Sequence, residues 1–266
     1  MQQNQVFPYY RQMSKQLQEA YSFMQTQFEE NSVDELCEIR GYVGEAQKQL
    51  LRDMNIGRCD IDVSLLDNAE KLGLATKKGN FILSNRYQIP VEDYAGNLVS
   101  LIGYYPDSRK YITLSTPYFS KDVLFFNFKK AYELSWSKFD GTVVLVEGIF
   151  DCLSLCAIGL PAMATMGNTV SPIKGEQLKY FKKVLAIPDA DRVGRQSLNR
   201  NSPKGWQVPC NTTFIKVVGG KLQLEDGTVL TVKDMDNFVS WFEASDVIDS
   251  IMQFKNSKED IEELVI

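Results

Sequence analysis

Two short acidic motifs hold the residue types that can do chemistry in this chain. Glu147 closes the run Val143-Val144-Leu145-Val146, and Asp189 and Asp191 follow the stretch from Val184 to Pro188. Runs this short, apolar and β-branched suit parallel strands covered on both faces. In a parallel sheet the three carboxylates emerge at the same carboxyl-terminal edge, where open α/β sheets bind their ligands. Asp151 lies four residues beyond Glu147, at the start of a helix, and can lean back toward the same crevice. Four converging carboxylates repel one another unless hard cations neutralise them, and Mg²⁺ takes a few carboxylates together with waters and substrate phosphates. The chemistry implied is phosphoryl transfer. Between the two motifs, Met166-Gly167-Asn168-Thr169 places a glycine loop at the end of a middle strand, where a phosphate or template can approach closely. Either motif alone, E-G-x-x-D or D-x-D, is common by chance; both at the ends of strands in one series are far more specific.

The elements that must position these groups form an alternating series. A strand over Val143 to Val146, a helix from about Phe150 to Ile158, a strand at Ala162 to Thr165, a helix near Ile173 to Phe181 and a strand at Val184 to Pro188 make a βαβαβ run. Upstream, Met13, Leu17, Ala20, Tyr21, Met24 and Phe28 recur three or four apart, which predicts a helix from Arg11 to about Glu30. A second helix follows Asn31 or Ser32 and stops at Gly41, a third spans about Val43 to Met54, and a fourth is expected over Ser64 to Leu72. Short strands are expected at Phe81 to Leu83, Tyr87 to Glu92 and Leu98 to Tyr104, the last two joined by the turn residues of DYAGN. Beyond the series, Thr213 to Val232 reads as a β excursion, followed by a helix near Phe238 to Phe254 and an acidic tail. The change of character at Ser137 to Gly141 places a boundary near residue 140, dividing the chain into 1–139 and 140–266.

Composition narrows the chemistry. With no histidine in 266 residues, Ser-His and Cys-His nucleophiles are excluded, leaving carboxylates, lysines and metal ions. The five scattered cysteines do not suggest a structural zinc site; Cys152 and Cys156, four apart on a helix face, read as core packing. Hydrophobic residues at 44% and charged residues at 24% describe a globular enzyme and exclude disorder. No apolar run approaches the roughly 20 residues that span a bilayer, and MQQNQVFPYY lacks the form of a signal peptide, so a cytoplasmic protein without membrane contact is expected. The net charge of −5 argues against a protein that coats nucleic acid, although Lys174 to Lys204 holds eight Lys/Arg, read as a solvated helix face with a basic loop.

The segments VVLVEGIFDCLSL, GLPAMATMGNTVS and KVLAIPDADRVGR resemble the three signatures of the TOPRIM fold in the form found in bacterial and phage (DnaG-like) primases. The likeness extends upstream: Arg40-Gly41 and Asn55-Ile56-Gly57, the strand pair NRYQIPVEDYAGNLVSLIG, and Lys110-Tyr111 through Lys121 all match primase segments. It implies an α/β architecture, a TOPRIM parallel-sheet domain preceded by an α+β primase subdomain that binds template and nucleotides. It further implies that Glu147 acts at the reacting phosphate while Asp189 and Asp191 hold Mg²⁺, for which Mn²⁺ substitutes. Asp151, Asp234 and Asp236 would support them, and Arg40, Arg86, Lys110, Lys121, Gly167, Asn168 and Arg192 would face template and nucleotide. Positive groups beside a metal can hold triphosphate and template. Single-stranded DNA and ribonucleoside triphosphates are the implied partners. Because no zinc-ribbon module precedes the core and no helicase-docking domain follows it, a zinc-module protein and a replicative helicase are expected in trans.

Two other readings stand beside primer synthesis. A TOPRIM-type nuclease or topoisomerase would use the same carboxylates for cleavage, although a topoisomerase needs a tyrosine domain for which the chain is short. A retained fold can also serve as a non-catalytic module of a replication complex, against which the clustered carboxylates argue, since their repulsion is costly when unused.

Overall fold

In the computed structural model, which describes residues 3–42, 44–114, 119–191, 196–198, 205–218, 221–223, 229–231 and 235–265, the chain divides between Phe119 and Ser120 into two units. This division falls earlier than the 139/140 boundary expected from composition. The reason is a helix absent from the sequence reading, α4 (Phe128–Lys138). Its Ala131 is buried in one cluster with Val143, Leu145 and Phe181, and its Phe128 ring meets Phe181 edge-on at 5.5 Å.

The first unit begins with α1 (Gln3–Gln25), whose buried Met13, Leu17, Ala20, Tyr21 and Met24 form the expected stripe. They share a core with Cys59, Leu98, Leu101 and Leu114. Helix α2 (Ser32–Arg40) stops at Gly41, which takes the left-handed conformation at φ 72° while Tyr42 N–H closes back on the Cys37 carbonyl at 2.8 Å. After α3 (Glu45–Asp53), strands β1 (Gly57–Arg58), β2 (Tyr87–Glu92), β3 (Leu98–Tyr105) and β4 (Lys110–Thr113) form an antiparallel sheet in that order. Neither the helix expected over Ser64 to Leu72 nor the strand expected at Phe81 to Leu83 forms. A single 3-10 turn at Val63–Leu65, capped by Asp62, is followed by turns, with Asn68 at φ 59°. Val63, Leu66, Ala69 and Leu72 are buried, a spacing of three that suits successive tight turns better than an α-helix. Phe81 makes only an isolated bridge to Ala75.

The second unit is built on a five-stranded sheet that is parallel throughout, in the order β11-β8-β7-β5-β6. Its members are β5 (Thr142–Val146), β6 (Ala162–Ala164), β7 (Lys183–Ile187), β8 (Thr212–Val218) and β11 (Ile261–Val265). Helices α5 (Ile149–Ala157) and α6 (Pro172–Glu176) connect the first three strands, giving the expected βαβαβ series. The β excursion resolves into β8, a member of the main sheet, and a hairpin of β9 (Lys221–Gln223) and β10 (Val229–Thr231). The single helix expected near Phe238 to Phe254 is two, α7 (Met235–Trp241) and α8 (Ala244–Met252). The acidic tail is the edge strand β11, where Leu264 alone is buried and Glu263 pairs with Lys216 at 2.9 Å. Among the described residues no helix is long and apolar enough to cross a membrane.

Candidate metal centre

Register decides where the acidic groups emerge. Val146, the last residue of β5, lies opposite Ala164 of β6 on one side and Ile187 of β7 on the other. The three strands therefore end level, with Glu147 leaving the centre, Thr165 on one flank, and Pro188 and Asp189 on the other. β5 is wholly buried, so its side chains are held on both faces and Glu147 departs from a fixed base.

The carboxylate of Glu147 receives the backbone N–H of Asp189, but its Oε2 is buried and has no hydrogen-bond partner. Burial pushes its pKa up to about 7, and the charges of Asp191 and Asp151 push in the same direction. Asp191 is exposed and Asp189 partly so. Among the described residues no group of three carboxylates or thiols is gathered closely enough to hold a metal ion; the expected meeting of four carboxylates is reduced to Glu147 with the charges of Asp191 and Asp151 acting on it, while Asp189 reaches it through its backbone. That arrangement fits a hard cation. Mg²⁺ is commonly held through one or two carboxylates and keeps several waters, and an orphaned anionic oxygen beside two further negative charges is what such an ion relieves.

The carboxylate of Asp151 lies against Gly148, in the space a side chain there would take. Asp151 lies in the first turn of α5, 8% exposed, and a Cβ on Gly148 would stand 2.2 Å from its Oδ2. Its Oδ1 accepts the N–H of Asp236 at 2.9 Å, capping the start of α7. Asp236, expected among the metal ligands, turns its own carboxylate to Ser154 Oγ one turn along α5 and is 3% exposed. It braces Asp151. Asp234 and Arg192 lie outside the described residues.

In the loop after β6, the residue with positive φ is Met166 at 58° rather than Gly167. Thr165 Oγ1 donates to the Gly167 carbonyl and lies 3.3 Å from the Glu147 carbonyl, tying the loop to the acidic strand end. A Cβ at Gly167 would meet nothing within 4 Å, so the space above it is open, and Asn168 is exposed.

Of the expected basic positions, Lys121 belongs to the second unit, where its side chain is exposed. Arg40 ends α2, Arg86 precedes β2 and Lys110 begins β4, all in the first unit; the two arginines are partly buried and the lysine is exposed. Sequence reasoning missed Lys174, grouped with a solvated basic face. It is fully buried, donates at 2.6 Å to the Thr165 carbonyl and 2.7 Å to the Lys121 carbonyl, and sits 4.6 Å from the Phe125 ring centroid. It links the strand end that carries the glycine loop to the segment that carries Lys121. Its position four residues before the buried Leu178 was the available signal. Cys152 and Cys156 pack as expected, Cys152 Sγ lying 3.3 Å from the Ala162 carbonyl and Cys156 Sγ receiving Asn127 Nδ2 at 3.2 Å.

A family model described as Toprim-like matches residues 144–221, which contain Glu147, Asp151, Gly167, Asn168, Asp189 and Asp191. Across both units the fold is that of DnaG-type primase catalytic cores. A structure of the DnaG primase catalytic domain bound to single-stranded DNA matches at a TM-score of 0.64 and 18% identity, covering 93% of this chain and 83% of that one. The RNA polymerase domain of Mycobacterium tuberculosis DnaG matches at 0.71 and 14% identity, covering 91% and 82%. Among curated proteins, a DNA primase of Clostridium acetobutylicum is 26% identical over 189 residues, 68% of this chain. The chain spans 30% of that relative's length.

Proposed function

We propose that this chain is the catalytic core of a DNA primase, making short RNA primers on single-stranded DNA by Mg²⁺-dependent nucleotidyl transfer. The observation that carries the reading is Glu147, a carboxylate at the end of the central strand with a buried, unpartnered oxygen and two acidic neighbours. A bound Mg²⁺ would neutralise charge at the reacting phosphate and make a 3′-hydroxyl easier to deprotonate. Glu147, Asp189 and Asp191 are the residues to hold it, with Asp151 supporting from the first turn of α5; Mn²⁺ meets the same oxygen donors. Burial and its acidic neighbours push the metal-free Glu147 carboxyl up, and a bound cation would relieve that and hold it as the carboxylate. Gly167 and Asn168 offer open backbone and an exposed amide to an approaching phosphate. Arg40, Arg86, Lys110 and Lys121 supply positive charge for template and triphosphate. Primase resemblance adds Asp234 and Arg192 to the set, and Asp236 supports it from behind by holding Asp151 in place. A replicative helicase and a zinc-module protein are the further partners proposed.

The test is incorporation of labelled ribonucleotides on defined single-stranded templates with Mg²⁺, with and without a zinc-module partner. Primers abolished by Glu147→Gln are expected. Absence of product in both arms, together with nicking of plasmid DNA that Glu147→Gln abolishes, would assign the site to a nuclease instead. No product and no Mg²⁺ or Mn²⁺ binding at millimolar concentration would leave a non-catalytic module.

A further inference from the structure

Tyr105 stands between two of the basic residues already named. Tyr87 pairs with Tyr104 and Tyr105 pairs with Lys110, so Arg86, Tyr105 and Lys110 form one row across three strands of the first unit's sheet. Cross-strand neighbours in such a row share a face. The geometry agrees, with the guanidinium carbon of Arg86 5.3 Å from the Tyr105 ring centroid.

The floor under this row is cut to fit. Gly103 lies two residues before Tyr105 and hence on the same face, and a Cβ there would stand 2.7 Å from Arg86 Cδ. The bare glycine lets the arginine stem lie flat on the sheet and carry its guanidinium to the ring. Asp107 accepts the Tyr105 hydroxyl, fixing the ring from its far end. Neither Arg86 nor Lys110 forms an ion pair among the described residues, whereas Arg58, Lys129, Lys179 and Lys182 are each bound to a carboxylate.

We infer that Tyr105 is a nucleobase-stacking residue: with the Arg86 guanidinium it forms a flat aromatic and cationic platform for one base, while Lys110 takes the adjoining phosphate. Aromatic rings and guanidinium planes beside uncommitted cations are the groups on which single-stranded nucleic acid stacks without sequence preference. The inference rests on the proposed use of single-stranded DNA and adds a contact to a base beside the phosphate contact of Lys110. A base with its phosphate belongs equally to a strand and to a free nucleotide, and the experiment separates them.

Binding of a fluorescent oligo(dT) to the whole chain, measured by anisotropy across a salt series without Mg²⁺, needs no catalysis. Tyr105→Phe is expected to bind within about twofold of the natural protein, and Tyr105→Ala about 5- to 150-fold more weakly with the same salt slope. Lys110→Ala should flatten the salt slope by about one phosphate contact, whereas Arg86→Ala, which removes the cationic half of the platform, should weaken binding as Tyr105→Ala does. Competition by excess ATP assigns the platform to a free nucleotide; its absence assigns it to the strand. Because Tyr105→Ala alters a sheet, Tyr105→Trp serves as the second variant, with quenching of the new indole emission on oligo(dT) or ATP addition expected. Equal affinity of natural protein and Tyr105→Ala, an unquenched Tyr105→Trp, or no binding of either ligand by the natural protein overturns the inference. Stacking without primer synthesis would instead count against the primase reading alone.

Discussion

Asp151 and Asp236 are joined tail to head, the side-chain Oδ1 of the first accepting the backbone N–H of the second at 2.9 Å. The bond makes one carboxylate serve two elements, the start of α7 and the acidic edge of the sheet. Gly148→Ala should break it, because the new methyl would occupy the position of Asp151 Oδ2, 2.2 Å away. The obstacle is the end of a flexible side chain, so the fold should survive with a loss of about 1 kcal/mol, comparable to a lost helix cap. Mg²⁺ affinity measured by calorimetry should fall, and Gly148→Ser should fall alike.

The stability of the metal-free protein should depend on pH through Glu147. Its folded pKa of about 7 lies above the ordinary 4.5, so the folded state keeps its proton where the unfolded state loses it. Stability from this group is therefore lost as pH rises from about 4.5 through about 7. Glu147→Gln should raise the Tm of the metal-free protein at pH 8 by a few degrees and change it little at pH 4. Added Mg²⁺ should raise the Tm of the natural protein at pH 8 and not that of the variant. Equal metal response in both would remove Glu147 from the ion.

Lys174 titrates with the opposite sign. Burial pushes its ammonium down to about 7 from 10.5, so the unfolded state binds the extra proton between those values and stability rises with pH across that window. Lys174→Met would leave the Thr165 and Lys121 carbonyls without this donor and should cost about 2–4 kcal/mol. Its deficit relative to the natural protein should grow between pH 7 and pH 10, read by urea titration at each pH.

Gly175 has no room for a side chain, since a Cβ would stand 1.8 Å from the Gln207 carbonyl oxygen, a backbone atom that cannot swing aside. Gly175→Ala should therefore destabilise the second unit by about 2–4 kcal/mol, well beyond the ordinary cost of a surface change. The first unit, with its own core, offers the comparison: Gly79→Ser, at a turn with open space but φ 78°, should cost only about 1 kcal/mol.

The acidic strand ends were legible because β5 and β7 are short, continuous apolar runs whose ends name themselves. Helix α4 was not, since its buried positions, Ala131 and Ser135, are small while its aromatics Tyr132 and Trp136 stand on a half-exposed face. β11 hid in the same way: one buried leucine among glutamates carries almost no pattern, and its pairing with β8 is a long-range fact. Ionised side chains give little sign of their tertiary partners. The charge of Lys174 points to the surface whereas its tertiary contacts turn it inward, and the Asp236 motif carries no sign of the Ser154 hydroxyl that its Oδ1 accepts. Tyr105 gives no sign in one dimension; its place beside Arg86 exists only once the sheet is in register.

β5 is hydrogen-bonded along both sides, to β6 and β7, while beyond β6, among the described residues, the backbone makes a single bridge from Ala164 to Phe126. The acidic strand end is therefore held from both flanks. Glu147 cannot shift without disturbing two ladders, and the stretch after β6 is fastened in turn, by Thr165 Oγ1 to the Glu147 side and by Lys174 to the segment that carries Lys121. A carboxylate mounted in this way keeps one position whatever binds in front of it, so the adjustment to a ligand falls on the ligand and its waters.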